Sequence, residues 1–170
     1  MGDAMSEHET DTEASEPDAR ATGEAGAADP HAPIVHELDV HVSRARAFDA
    51  YVHGLGEWWH PGHTASGTGL DRIHVDAHEG GRIVEHARDG AEHVWGEILE
   101  LVPGERFAHT FGLSHDDGPT EVVVTFAELE HGGTRVRLEH GGWGAADADA
   151  RGRTDWTTLL ERYVAYASHV

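Results

Sequence analysis

Alternation of apolar and polar positions marks the first patterned stretch of the chain. From Ile34 to Val42, the residues Ile34, His36, Leu38, Val40 and Val42 fall on one side. Val35, Glu37, Asp39 and His41 fall on the other, which is the period-2 signature of a half-buried strand. Ser43 then offers an N-cap, and Phe48, Tyr51, Val52 and Leu55 recur at helical spacing until Gly54 and Gly56 interrupt, so a short helix follows. Beyond the turn Trp58-Trp59-His60-Pro61-Gly62, strand-like runs are expected near Arg72–Ala77, Arg82–His86, Val94–Val102, Arg106–Phe111, Glu121–Leu129 and Thr134–His140. Glycine-bearing turns such as Glu79-Gly80-Gly81, Asp89-Gly90 and His131-Gly132-Gly133 separate them, and turns this closely spaced imply an antiparallel meander.

The last two strands alternate most clearly. Val122, Val124, Phe126, Val136 and Leu138 share one face, and Glu121, Thr125, Arg135, Arg137 and Glu139 share the other. An apolar sheet face needs a cover, and the final segment supplies one. Trp156, Leu159, Leu160, Tyr163, Val164 and Ala167 form a single helical stripe, with Asp147, Asp149 and Asp155 expected in its early turns. The predicted class is α+β, a curved antiparallel sheet of about seven strands wrapped around a long C-terminal helix.

Residues 1–33 break with this pattern. They carry nine acids, one Arg and no aromatic residue, too little apolar surface to offset backbone entropy, and are expected to form a disordered acidic tail. All five Trp, four Phe and three Tyr lie in residues 34–170, which are expected to fold as one domain.

Composition narrows the chemistry. The 170 residues hold 32 acidic side chains against 12 basic ones, a formal charge of −20, which disfavours nucleic acid and anionic membrane surfaces as partners. There is no Cys, hence no disulfide, thiolate metal site or cysteine nucleophile, and no Lys for Schiff-base or Walker-type chemistry. No apolar run is long enough to span a membrane, and the acidic start lacks the order of a secretion signal, so a soluble cytoplasmic protein is expected. Sixteen histidines invite a metal reading. His60 and His63 lack a third and fourth ligand, however, and His74 and His78 lie too far apart along a strand, so no metal and no cofactor is expected.

Gly80-Gly81-Arg82-Ile83, the run from His93 to Leu99, Pro103 before Arg106-Phe107, and Gly133-Thr134-Arg135-Val136 leading into Glu139-His140-Gly141-Gly142-Trp143 form, with Trp58-Trp59, an ordered set. From Ile34 to Val170 the chain resembles the SRPBCC superfamily (Bet v 1-like, START-like), in the branch named for the C-terminal domain of the Hsp90 ATPase activator (AHSA1-like). The resemblance implies a helix-grip fold enclosing an apolar cavity. It leaves the chemistry open, because this fold hosts carriers, cyclases, receptors and co-chaperone domains.

Three functions follow as expectations. The first is a non-enzymatic domain that binds a small hydrophobic or amphipathic ligand between sheet and C-terminal helix. Trp58, Trp59, Trp95, Phe107, Phe111, Trp143, Leu160 and Tyr163 are its candidate lining, set against ordinary core packing. The second is an enzyme of the polyketide cyclase or dehydratase type, with Glu97 or His109 moving a proton and Glu85 a further carboxylate in a neighbouring strand. The phase of the fourth strand decides Glu97: Trp95, Glu97, Leu99 and Leu101 share one side if the strand is regular, while Val94, Ile98 and Val102 compete for the interior. The third is a chaperone- or stress-related domain that binds a protein partner through its outer sheet face. Gly112-Leu113-Ser114-His115-Asp116 reads as a polar turn, because it lacks the closing glycine of a hydrolase elbow.

Overall fold

The computed structural model of the protein describes residues 29–113 and 118–170. The acidic tail expected at residues 1–33 thus lies outside the described residues up to position 28, as does most of the turn read at Ser114-His115-Asp116. Residues 29–33 belong with the domain. Arg151 donates from Nη2 to the Ala32 carbonyl at 2.5 Å and from Nη1 to the Asp29 carbonyl at 3.4 Å, and the His31 ring meets the Trp143 carbonyl at 3.0 Å.

Seven antiparallel strands form one sheet: β1 (Ile34–Val40), β2 (Leu70–Val75), β3 (Arg82–Ala87), β4 (Glu92–Val102), β5 (Arg106–Phe111), β6 (Thr120–Glu128) and β7 (Thr134–Gly141). Their spatial order is β1-β7-β6-β5-β4-β3-β2, a meander whose first strand returns to pair with the last. Three helices accompany the sheet: α1 (Arg44–Val52), the four-residue α2 (Leu55–Trp58) and α3 (Trp156–Ala167). Ser43 caps α1 as expected, its hydroxyl accepting from Arg46 N–H. Gly54 separates α1 from α2 at a point where a Cβ would strike the Tyr166 ring and the Ala50 carbonyl.

The C-terminal helix is shorter than expected. Asp147 and Asp149 do not lie in its first turns, because two 3-10 turns, Ala145–Ala148 and Ala150–Gly152, precede it. Short Asp side chains compete with the helical backbone for its donors: Asp147 takes the Gly144 N–H, and Asp155 caps α3 through Thr158 N–H, which holds the Asp155 carboxyl below its ordinary range. The stripe Trp156, Leu159, Leu160, Tyr163 and Ala167 is buried against the sheet.

The core lies between this helix and the inner face of the sheet. Phe126, Val122 and Val124 from β6 and Val136 and Leu138 from β7 point inward, as their alternation predicts. On the outer face Arg135 grips Asp39 through two hydrogen bonds of 2.9 and 3.0 Å, and Arg137 meets Glu139 and Glu37. Among the described residues, no helix is long and apolar enough to cross a membrane.

Candidate functional site

The eight candidate lining residues are all buried, and the aromatic ones meet one another. Trp59 packs on Trp95 with ring centroids 4.9 Å apart, on Trp58 at 5.5 Å and on Trp156 at 5.7 Å, while Phe111 joins Trp59, Trp95 and Trp156 at about 6 Å. Tyr163 and Tyr51 close the cluster toward α1, Tyr51 reaching Phe107, and Trp143 stacks on His140 at 4.3 Å. Ordinary core packing, the alternative weighed from the sequence, accounts for Trp58, Phe107 and Tyr163: the rings occupy the space between helix and sheet. Leu160 lines an open groove between β1 and α3.

β4 reaches the interior in steps of three, not two. The register shifts where Gly96 and Val94 oppose Ile83 and Val84, making Trp95 an extra residue, and again where Ile98 and Glu100 oppose His109 and Ala108, making Leu99 another. Trp95, Ile98 and Leu101 consequently turn inward. Glu97 is exposed on the outer face, opposite Arg82 in the register, and does not join the interior groups.

His109 does join them. It stands on β5 between Phe107 and Phe111, with Nδ1 2.8 Å from the Thr110 carbonyl. A carbonyl only accepts, so Nδ1 carries the hydrogen and Nε2 the lone pair. Burial lowers its pKa to about 4 against a smaller upward pull from that carbonyl, and the ring is neutral at pH 7. Gly96 makes the room: a Cβ there would lie 2.4 Å from the Thr110 oxygen and 3.3 Å from the His109 ring.

A second buried histidine lies in the same row across the sheet, His109 pairing with Val122 and Val122 with His140. Its hydrogen bonds run in the opposite sense. The Trp156 indole donates to His140 Nδ1 at 3.0 Å, Nε2–H faces Thr120 Oγ1 at 2.6 Å, and Thr120 donates to the Phe111 carbonyl at 3.0 Å. Both ring nitrogens are engaged, so this histidine fastens α3 to β5 and β6. Sequence reasoning passed over His140 and Thr120, although Val136, Leu138 and His140 share the inward phase of β7.

Glu85 on β3 is fully buried at 0 % exposure. Its carboxylate accepts the backbone N–H groups of Ala65 and Ser66 at 3.1 and 2.5 Å, tethering the loop that links α2 to β2. Trp59 adds a tether, its indole donating to the His63 carbonyl at 3.1 Å. Over this end of the grip lies a cleft of about 250 Å³, lined by His63, Thr64, Ala65, Gly112, Arg153 and Thr154 among others. Beneath it an indole is left unpaired. Trp95 is 2 % exposed and its N–H has no acceptor, while its carbonyl binds Gly112 N–H at the cleft's edge.

The His60 and His63 rings lie 6.0 Å apart. Among the described residues no three His, Asp or Glu side chains converge to hold a metal ion.

The fold is shared with solved structures. A Mesorhizobium loti protein is 20% identical with a TM-score of 0.61, covering 79% of this chain and 95% of its own. The self-sacrificing resistance protein CalC from Micromonospora echinospora is 24% identical with a TM-score of 0.61, covering 82% and 96%. An anthrahydroquino-γ-pyrone synthase, solved as a complex, is 27% identical with a TM-score of 0.54, covering 79% and 96%. No curated protein sequence matches the chain. The family model described as Activator of Hsp90 ATPase homolog 1-like protein matches residues 41–168. Since that match takes in all of the sheet except β1 and the whole of α3, the chain belongs to the Activator of Hsp90 ATPase homolog 1-like family and carries the SRPBCC helix-grip fold.

Proposed function

We propose that this domain binds a small amphipathic molecule with an aromatic or apolar body, admitted at the end of the grip where the loop of residues 61–69 covers Trp59 and Trp95. The observation that carries this reading is the unpaired indole N–H of Trp95, sealed among rings. A buried donor without an acceptor costs about 1–3 kcal/mol, which a guest carbonyl or phenol oxygen would recover. Trp59 and Phe111 offer ring faces beside it, and the cleft above supplies hydroxyl and guanidinium groups. Because Trp59, Trp95 and Phe111 lie against one another, the guest enters by displacing the loop and separating these rings.

The test is native mass spectrometry of the purified protein with lipid and aromatic polyketide extracts, followed by titration of each captured compound. Trp95→Phe, which removes the indole N–H but keeps a ring in the cluster, should stay folded yet bind an acceptor-bearing ligand about tenfold more weakly. Capture of nothing by the parent, or equal affinity in Trp95→Phe, refutes the reading.

A second reading, proton transfer on a bound oligoketide, is favoured by the His109 tautomer. Its Nε2 lone pair can take a proton from a carbon between two carbonyls and return it to the oxygen formed on ring closure, an isomerisation that needs no oxidant. The likeness to the anthrahydroquino-γ-pyrone synthase supports it. His109→Gln should then lower turnover about a hundredfold or more, while Glu97→Gln on the outer face leaves it unchanged.

A further inference from the structure

The two margins of the sheet are treated differently. At the β2 margin, α2 lies against the strand so closely that a Cβ on Gly56 would come within 3.0 Å of the Ile73 carbonyl oxygen and 3.5 Å of its nitrogen. At the β1 margin no such cover exists among the described residues. Within them Ile34–Val40 pairs with β7 alone, and none of its residues makes a backbone hydrogen bond beyond that ladder. Alongside runs a groove of about 320 Å³ between β1 and α3, floored by Leu38, Leu160 and Val164 and rimmed by Glu161 and by Glu37, whose carboxylate also meets Arg137 at 3.4 Å.

An open strand edge beside an apolar groove is the geometry of strand addition, in which backbone pairing gives affinity and alternate side chains fill the groove. Charge selects the occupant. A second copy pairing antiparallel about Glu37 would set Glu37 opposite its own equivalent, with Asp39 diagonal to it, on chains that each carry −20. The chain's own residues 1–28 hold eight acids and one Arg, and meet the same repulsion. A cationic chain meets none.

We propose that the β1–α3 groove receives an extended peptide in which aliphatic residues alternate with Lys or Arg. It adds an eighth strand beside β1. Its aliphatic side chains lie between Leu38 and the Leu160–Val164 stripe, its cations project on the Glu37 side, and Glu161 adds negative charge at the inner rim. This surface is separate from the cleft over Trp95, since the two share no lining residue.

The probe is a seven-residue peptide of alternating Lys and Val with blocked ends, titrated into the full chain at low salt and followed by amide NMR. Binding should move the signals of His36, Leu38, Leu160 and Val164 and weaken with added salt. The Glu-for-Lys peptide, and a peptide N-methylated at the amides facing β1, should each bind at least about tenfold more weakly. The double variant Glu37→Gln/Glu161→Gln, two surface changes that keep the fold, should lose about fivefold. Absence of binding, equal binding of the acidic or N-methylated peptide, or shifts confined to Thr64 and Gly112 would overturn the proposal. So would sedimentation of the free chain as a dimer whose β1 signals depend on concentration, because a second copy would then own the edge.

Discussion

The sheet has a regular half and an irregular half. From β1 through β7 to β6 the register runs without a shift, the interior is apolar apart from Thr134, His140 and the latter's partners, and the outer face is laced by Arg135, Arg137, Asp39 and Glu139. From β2 to β5 each successive strand pair carries a register shift, and here sit the buried Glu85, the neutral His109 and the unpaired Trp95 indole. Regular pairing maximises burial and backbone hydrogen bonding. Bulges, bare glycines and buried polar groups spend some of that stability, and they persist where side chains must be aimed. The contrast gathers the buried polar groups of the interior on the bulged strands and leaves the regular strands as a frame.

Paired glycines give the sharpest way to break this contrast. In the irregular half, Gly96→Ala drives a Cβ to 2.4 Å from the Thr110 carbonyl, and urea unfolding should report a loss of about 3–4 kcal/mol. In the regular half the Gly141→Ala methyl meets only Pro33, at 3.4 Å, and the loss should stay below about 1 kcal/mol. Comparable losses would erase the distinction.

Titration of His109 comes next. Its folded-state pKa of about 4 lies below the ordinary 6.5, so the unfolded chain takes up a proton in a range where the native state does not. Its contribution is intact above pH 6.5, falls by about 3 kcal/mol between pH 6.5 and pH 4, and stays flat below that. His109→Leu should flatten that part of the stability profile. A slope identical to the parent's would place the titration elsewhere.

Glu85→Gln replaces one acceptor oxygen by a donor facing two backbone donors. It should cost about 1–3 kcal/mol and speed amide exchange at Ala65 and Ser66 by at least about tenfold, with β6 and β7 amides unaffected. The smallest effect belongs to the outer face of the regular half. Arg135→Ala should leave the urea midpoint essentially where it is, because the pair is exposed. In the same variant the Asp39 carboxyl, held below its ordinary range by Arg135, should titrate closer to that range by NMR.

The regular half was also the legible half. The alternation Val122-Val124-Phe126 and Val136-Leu138 gave both strands and their faces, and Ser43 and the Trp156–Ala167 stripe gave the helices, because each depends on local periodicity. Inward steps at Trp95, Ile98 and Leu101 obey no period of two, so the fourth strand stayed ambiguous until its bulges were seen. Sequence revealed that the Trp residues were apolar but not that Trp58, Trp95 and Trp156 each pack on Trp59. The tether at Glu85 was invisible for another reason: its partners are backbone amides, and every residue but proline has one.

The guanidinium of Arg151 holds the carbonyls of Asp29 and Ala32, and so ties the approach to the first strand to the approach to the last helix. A tension applied through the amino terminus would load this knot before it reached the β1 ladder. Rupture of a few polar bonds would precede peeling of the strand, so the mechanical strength of the margin rests on a contact made more than a hundred positions away along the backbone.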